Sequence, residues 1–180
     1  DIDKVKALIN QGANVNAKDN LKRTPLHWAA DKGHTDVVHY LSEHGANVNV
    51  ANFADKTPLH SATDKGNTDL VKFLIEHGAN VNVADELKET PLHYAARRGY
   101  TNIAKYLIEK GANVDAETPM KLTPLHWAAY DQIEIVKLLI EKGANLFVRT
   151  VESNETPRGW AVGKGHNYTA NLLKEAESTF

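Results

Sequence analysis

The sequence predicts an all-α solenoid of stacked helix-turn-helix units with projecting hairpin-like loops. Two observations carry this. The tetrapeptide Thr-Pro-Leu-His begins at Thr24, Thr57, Thr90 and Thr123, each copy 33 residues after the last, and a degraded fifth copy begins at Thr156. A second motif, Gly-Ala-Asn, recurs in register at Gly12, Gly45, Gly78, Gly111 and Gly143. A fixed period of this length means an array in which each unit buries its face on its neighbours.

Taken in order, Asp1 to Gln11 reads as the second helix of a unit whose first helix is absent. Ile2, Val5, Leu8 and Ile9 fall on one helical face, and Gly12 ends the segment. The chain opens on Asp1 inside a repeat, so it is expected to be a fragment, with an apolar edge left open at its start.

The first complete unit shows the logic of the rest. Thr24 suits the N-cap, and Pro25 suits the first helical position, where an amide N–H is not needed. Leu26, Ala29 and Ala30 share a face small enough for close helix approach, and Gly33 breaks the helix. A second helix runs from about Thr35 to His44 with Val37, Val38, Tyr40 and Leu41 as its apolar stripe, and Gly45 takes a left-handed position after it. An extended, polar excursion then leads to the next Thr-Pro. Thr57–Asn82 and Thr90–Asp115 repeat this pattern.

The fourth unit departs from it. It lacks the glycine between its helices, where Tyr130-Asp131-Gln132 stands, and the following loop is one residue longer. Locally irregular structure is expected there. The last unit reads as a cap. Arg158 and Gly159 replace the motif's leucine and histidine, and Tyr168, Thr169, Asn171, Lys174 and Glu175 make its second helix polar, as a solvent-facing end requires. Ser178, Thr179 and Phe180 are expected to fray.

Composition limits the functional classes. The formal net charge is −2 with both signs spread along the chain, which argues against nucleic acid as a partner. There is no cysteine, which excludes disulfide and thiol chemistry and suits a cytoplasmic home. No apolar run is long enough for membrane insertion. No nucleophile–base pair, phosphate loop or metal-loop spacing recurs, so neither catalysis nor a cofactor is expected.

In these two motifs the repeat resembles the ankyrin repeat over nearly the whole chain. The resemblance implies one domain over 1–180: a partial repeat at 1–16, repeats at 17–49, 50–82, 83–115 and 116–148, and a cap at 149–180. It implies a non-enzymatic protein-binding module, monomeric on its own, that holds its partner in a concave groove. It also implies that His27, His60, His93 and His126 bond to the motif threonine and nearby backbone. Equivalent residues about 10 Å apart are too widely spaced for a shared metal. The ankyrin pattern usually has glycine two residues before each Thr-Pro, whereas this chain has Lys22, Asp55, Lys88, Lys121 and Asn154, so its tip turns are expected to differ or to be strained. Asn16, Asn49 and Asn82 resemble the ankyrin asparagines that an asparaginyl hydroxylase modifies.

Candidate binding residues lie in two rows. One is the outward side of the first helices, where Trp28, Ser61, Tyr94, Trp127 and Trp160 share a position. Asp31, Lys32, Asp64, Lys65, Arg97, Arg98 and Tyr130 flank it. Aromatic rings among mixed charges make interface hot spots, and they also pack between neighbouring helices; both readings are open. Trp28, Tyr94 and Trp127 are the expected anchors, with Arg97 and Arg98 facing an acidic element of the partner. The second row is the loop tips: Leu21, Phe53, Leu87 and Met120. Tip side chains either extend the binding surface or pack on the neighbouring turn. Lys72–Glu76, Lys105–Glu109 and Lys137–Glu141 are spaced for ion pairs on a solvated outer face, and His44 and His77 sit where a basic group complements a helix end. A structural spacer, or the targeting arm of a larger protein, remains as the other reading of the array.

Overall fold

The computed structural model describes residues 1–179. They form eleven helices and no strand among the described residues, in two compact units, Asp1–Glu86 and Leu87–Phe180. Phe180, expected to fray, lies outside the described residues.

The first unit contains α1 (Ile2–Asn10), α2 (Pro25–Lys32), α3 (Thr35–Glu43), α4 (Pro58–Asp64) and α5 (Thr68–Glu76). Helices of this length are unstable alone and depend on packing. α2 packs on α3 and α4, α4 on α5, and α3 lies against both α1 and α5, giving two helical layers. Leu26, Ala30, Val38, Leu41, Leu59, Ala62, Leu70, Val71 and Leu74 are fully buried between them. α1 buries no residue: Ile2, Val5 and Ile9 are half-buried and Leu8 is 57% exposed.

The second unit contains α6 (Pro91–Arg98), α7 (Thr101–Glu109), α8 (Pro124–Ala128), α9 (Ile133–Glu141), α10 (Pro157–Gly163) and α11 (Asn167–Glu177). Its first-helix layer runs α6, α8, α10 and its second-helix layer α7, α9, α11. Leu92, Ala95, Leu107, Leu125, Val136, Leu139 and Leu173 form its core. α8 has only five residues, and Asp131 (φ 76°) takes the left-handed position that Gly33, Gly66 and Gly99 hold elsewhere. In the longer loop that follows, Leu146 is buried while Phe147 and Val151 are exposed.

Every tip turn keeps the left-handed backbone. Lys22, Asp55, Lys88, Lys121 and Asn154 all lie between φ 53° and 60°. The family's turn geometry therefore survives the loss of its glycine, and each side chain carries the steric cost of that region. Asp19 N–H to Arg23 O and Asn52 N–H to Lys56 O, at 2.9 and 3.0 Å, close the excursions of the first unit. Amide-to-carbonyl bonds link successive tips, from Phe53 to Leu21 and from Val151 to Met120.

Two details correct the expectations. Thr169 is not on the solvent side of the cap: it is fully buried, its hydroxyl without a partner, while Tyr168 is 61% exposed. Ser178 and Thr179 follow α11 as a turn, and their hydroxyls donate to Glu175 O and Ala176 O at 2.6 and 2.7 Å. Lys137 pairs with Glu134 at 2.9 Å rather than with Glu141, which pairs with Lys142 at 3.0 Å. The observed order, with glutamate nearer the helix N-terminus, is the more favourable one for the dipole.

Candidate functional site

The motif histidines are structural. In each of the four copies the threonine N–H donates to histidine Nδ1 at 3.1 Å, so Nδ1 carries no proton. The proton must then sit on Nε2, which donates to the carbonyl of the residue 29 positions on: Lys56 for His27, Leu122 for His93 and Glu155 for His126. Each such imidazole ties one helix start to the next excursion. Burial pushes His27 below the ordinary histidine range and lowers His126 to about 4, against the opposing pull of those carbonyl bonds. No group of histidine, aspartate or glutamate among the described residues is arranged to hold a metal ion. In the degraded copy, Gly159 N–H bonds to the Thr156 hydroxyl at 3.2 Å instead.

His44 and His77 use the opposite tautomer. Their Nδ1–H groups donate to Tyr40 O and Phe73 O at 2.8 Å, satisfying carbonyls at the helix end, and their rings stack on Tyr40 and Phe73. His39 is no plain surface residue, since it stacks on Phe73 at 3.8 Å.

A second tie joins the turns of successive repeats within each unit. Asn16 donates to Gly45 O at 3.0 Å and accepts from Asn47 N–H at 2.9 Å, and Asn49 does the same with Gly78 and Asn80. Both ends of these amides are therefore engaged. Asp115 takes the same place and accepts from Asn145 N–H at 2.7 Å.

On the first-helix side of the first unit, Trp28 is 44% exposed. The Arg23 guanidinium lies 4.0 Å over its ring and is held there by Asp19, at 2.9 Å from Nε and 2.8 Å from Nη2. Asp31 lies 3.9 Å from Lys32 and 3.6 Å from Lys65. Ser61 and Asp64 are half-buried. At the tips, Leu21 and Phe53 are 50% and 60% exposed, with Lys22 Nζ 4.6 Å above the Phe53 ring. Lys22 belongs to the neighbouring tip turn, so the Phe53 ring meets that turn while staying largely exposed.

In the second unit the expected anchor Tyr94 is withdrawn: it is 3% exposed, and the Arg97 guanidinium covers its ring at 4.8 Å. Arg97 also lies 5.0 Å from the Trp127 ring, and its Nη1 donates to both carboxylate oxygens of buried Glu89 at 2.9 Å. A stacked, chelated guanidinium is a rigid wall rather than a loose cation reaching for acid. Arg98 is exposed. Trp127 is half-buried with its indole N–H unpartnered, and meets Trp160 edge-on at 5.9 Å. Tyr130 is on the surface, as are the tips Leu87 and Met120.

The residue immediately before each threonine was not singled out by the sequence pattern. Arg23, Glu89 and Glu155 stand there, as do Lys56 and Leu122, and the first three frame the aromatic position. A charged side chain at one fixed step from the motif in four of five copies was the available signal.

A family model described as ankyrin repeats (3 copies) matches residues 1–85 and 69–150. Among curated proteins, a 38-residue stretch is 58% identical to the 26S proteasome non-ATPase regulatory subunit 10 of Dictyostelium discoideum. That stretch is 21% of this chain and spans 16% of the relative's length.

Proposed function

Because the chain belongs to the ankyrin-repeat family, whose members mediate protein–protein interaction, we propose that it is a non-catalytic module that holds a partner protein by its first-helix faces and loop tips. The observation that carries this reading lies in the first unit, where Trp28 stays 44% exposed while Leu21 and Phe53 stand 50% and 60% exposed on bonded turns. Large apolar side chains kept in water by a rigid backbone lose little ordering entropy on binding. Stacking by Arg23, itself fixed by Asp19, holds the Trp28 ring in place before any partner arrives. Leu87, Met120 and Tyr130 are the corresponding exposed groups of the second unit, and Asp31, Lys32, Asp64, Lys65 and Arg98 would supply the polar rim. Tyr94 and Arg97 act as support beneath this surface. The groove of the family is the expected place for the partner, which would cover about 800 Å² of the chain.

No helix of the described residues is long and apolar enough to cross a membrane. A cytoplasmic site of action belongs to the same proposal. The relative's description, a non-ATPase regulatory subunit, accords with a role without catalysis over the short stretch it shares.

The test is affinity capture from source-cell lysate with the parent chain and with Trp28→Ala/Leu21→Ser/Phe53→Ser. All three side chains are surface groups, so the variant should keep its circular dichroism and thermal midpoint. A protein retained by the parent and lost by the folded variant supports the reading. Equal retention refutes this surface, and an empty capture from both would favour a structural spacer.

A further inference from the structure

The cap repeat carries a cleft of about 270 Å³ lined by Tyr130, Ser153, Glu155, Trp160, Gly163 and Lys164. It lies wholly within the second unit. Its aromatic walls meet as a corner, the Tyr130 and Trp160 rings being 5.5 Å apart at 87°. Trp127 backs Trp160 edge-on at 5.9 Å, and His166 lies 6.1 Å from Tyr130.

Glu155 reaches this cleft alongside α10, where Gly159 and Gly163 present no side chain. A Cβ on Gly159 would come within 3.3 Å of Glu155 Cβ, and one on Gly163 within 3.6 Å of its Oε1. The two glycines stand one helical turn apart on α10; a Cβ would be slightly tight at Gly159 and an ordinary contact at Gly163. Gly159 occupies the place of the motif histidine. Glu155 is half-buried, and no side chain of the described residues pairs with its carboxylate. The nearby charges are committed elsewhere: Arg158 bonds Glu177 at 2.8 Å, and Asp131 lies 3.9 Å from His166. Lys164 rests over the Tyr130 ring, its Nζ 5.6 Å from the centroid, and makes no ion pair with Glu155.

The site thus combines two crossed rings with a half-buried carboxylate that makes no ion pair, and one ring already carries an ammonium. We propose that this cleft is a subsite for the ammonium of a lysine side chain on the partner protein, held in the Tyr130–Trp160 corner with Glu155 as its counter-charge. The proposal rests on the protein-binding reading above and names one chemical element of the partner. A compact ammonium with three donors fits a corner of crossed rings, whereas a planar guanidinium wants a parallel face and a forked acceptor. Lys164 is then a built-in competitor: it lies on the ring the incoming lysine needs and repels it.

Removing Lys164 and neutralising Glu155 should therefore act in opposite directions. The measurement is an NMR titration of the ¹⁵N-labelled chain with acetyl-Gly-Lys-Gly-amide, following the Trp160 indole N–H and the Gly163 amide. The arginine and norleucine tripeptides serve as comparisons. The lysine peptide should give saturable shifts in the millimolar range, tightened about threefold by Lys164→Met and weakened at least about fivefold by Glu155→Gln. Both substitutions keep side-chain size, and unchanged amide dispersion elsewhere shows that the fold is kept. The norleucine peptide should leave both signals in place. The proposal is overturned if Lys164→Met shows no saturable shift, if norleucine matches lysine, if Glu155→Gln makes no difference, or if arginine binds more tightly than lysine. Failure of these titrations while a partner is still captured through Trp28, Leu21 and Phe53 refutes the subsite alone. Failure of the capture refutes the broader reading whatever the peptides do.

Discussion

At the scale of single residues, two features set local energies. The first is the set of side chains held at positive φ, a region that L-residues occupy at a cost of roughly 1–2 kcal/mol. Lys121 (φ 58°) is exposed at its tip, so Lys121→Gly should relieve the backbone and give up little else. Glycine's greater freedom in the unfolded chain offsets part of this, leaving a net gain of about 0.5–1 kcal/mol. It would be read as a higher urea midpoint at unchanged slope. The second feature is the neutral motif histidine. His126 is lowered to about 4 by burial, and its Nδ1 must stay bare to accept the Thr123 N–H. Between about pH 4 and the ordinary histidine value near 6.5, the unfolded chain binds more protons than the folded one. Stability contributed by this group is therefore fully present above 6.5 and falls as the pH is lowered, by about 2 kcal/mol at pH 5. Urea midpoints at pH 7 and pH 5 would measure it, and His126→Gln should flatten the difference while lowering stability at pH 7.

At the scale of elements, each helix is held by its buried stripe, and α1 and α11 differ in how much of one they have. α1 buries nothing, while α11 turns Leu173 and Thr169 inward and Tyr168 outward. The buried Thr169 hydroxyl has no partner, so Thr169→Val should stabilise the cap by about 1 kcal/mol, visible as a raised thermal midpoint. Helix positions, glycine breaks and the core stripe were legible in the sequence because period and composition act locally: Leu26, Val38 and Leu41 are buried as their spacing requires. The inward turn of Thr169 was not legible, since a polar residue on a polar-rich helix looks like a solvent-facing one. Ion-pair choice was also hidden. Lys137 has a glutamate within reach in both directions, and only side-chain conformation decides for Glu134. The candidate surface was legible by position rather than by exposure. Trp28 and Tyr94 share a register, yet one ring is open and the other lies beneath Arg97, because Glu89 anchors that guanidinium from the residue before the motif.

At the scale of the molecule, the same repeat produces two compact units, each with buried small residues beneath its first helices and apolar groups left at its tips. The buried histidines serve the backbone, and the exposed rings are held by neighbouring cations, Arg23 on Trp28 and Lys22 on Phe53. Fixed apolar side chains in water are the feature that a partner protein would use. The measurement that tests this most directly is the paired capture with the parent chain and Trp28→Ala/Leu21→Ser/Phe53→Ser. The account predicts a partner that binds the parent and is lost, or weakened at least about tenfold, in a variant of unchanged fold. A partner held equally by both chains would contradict it.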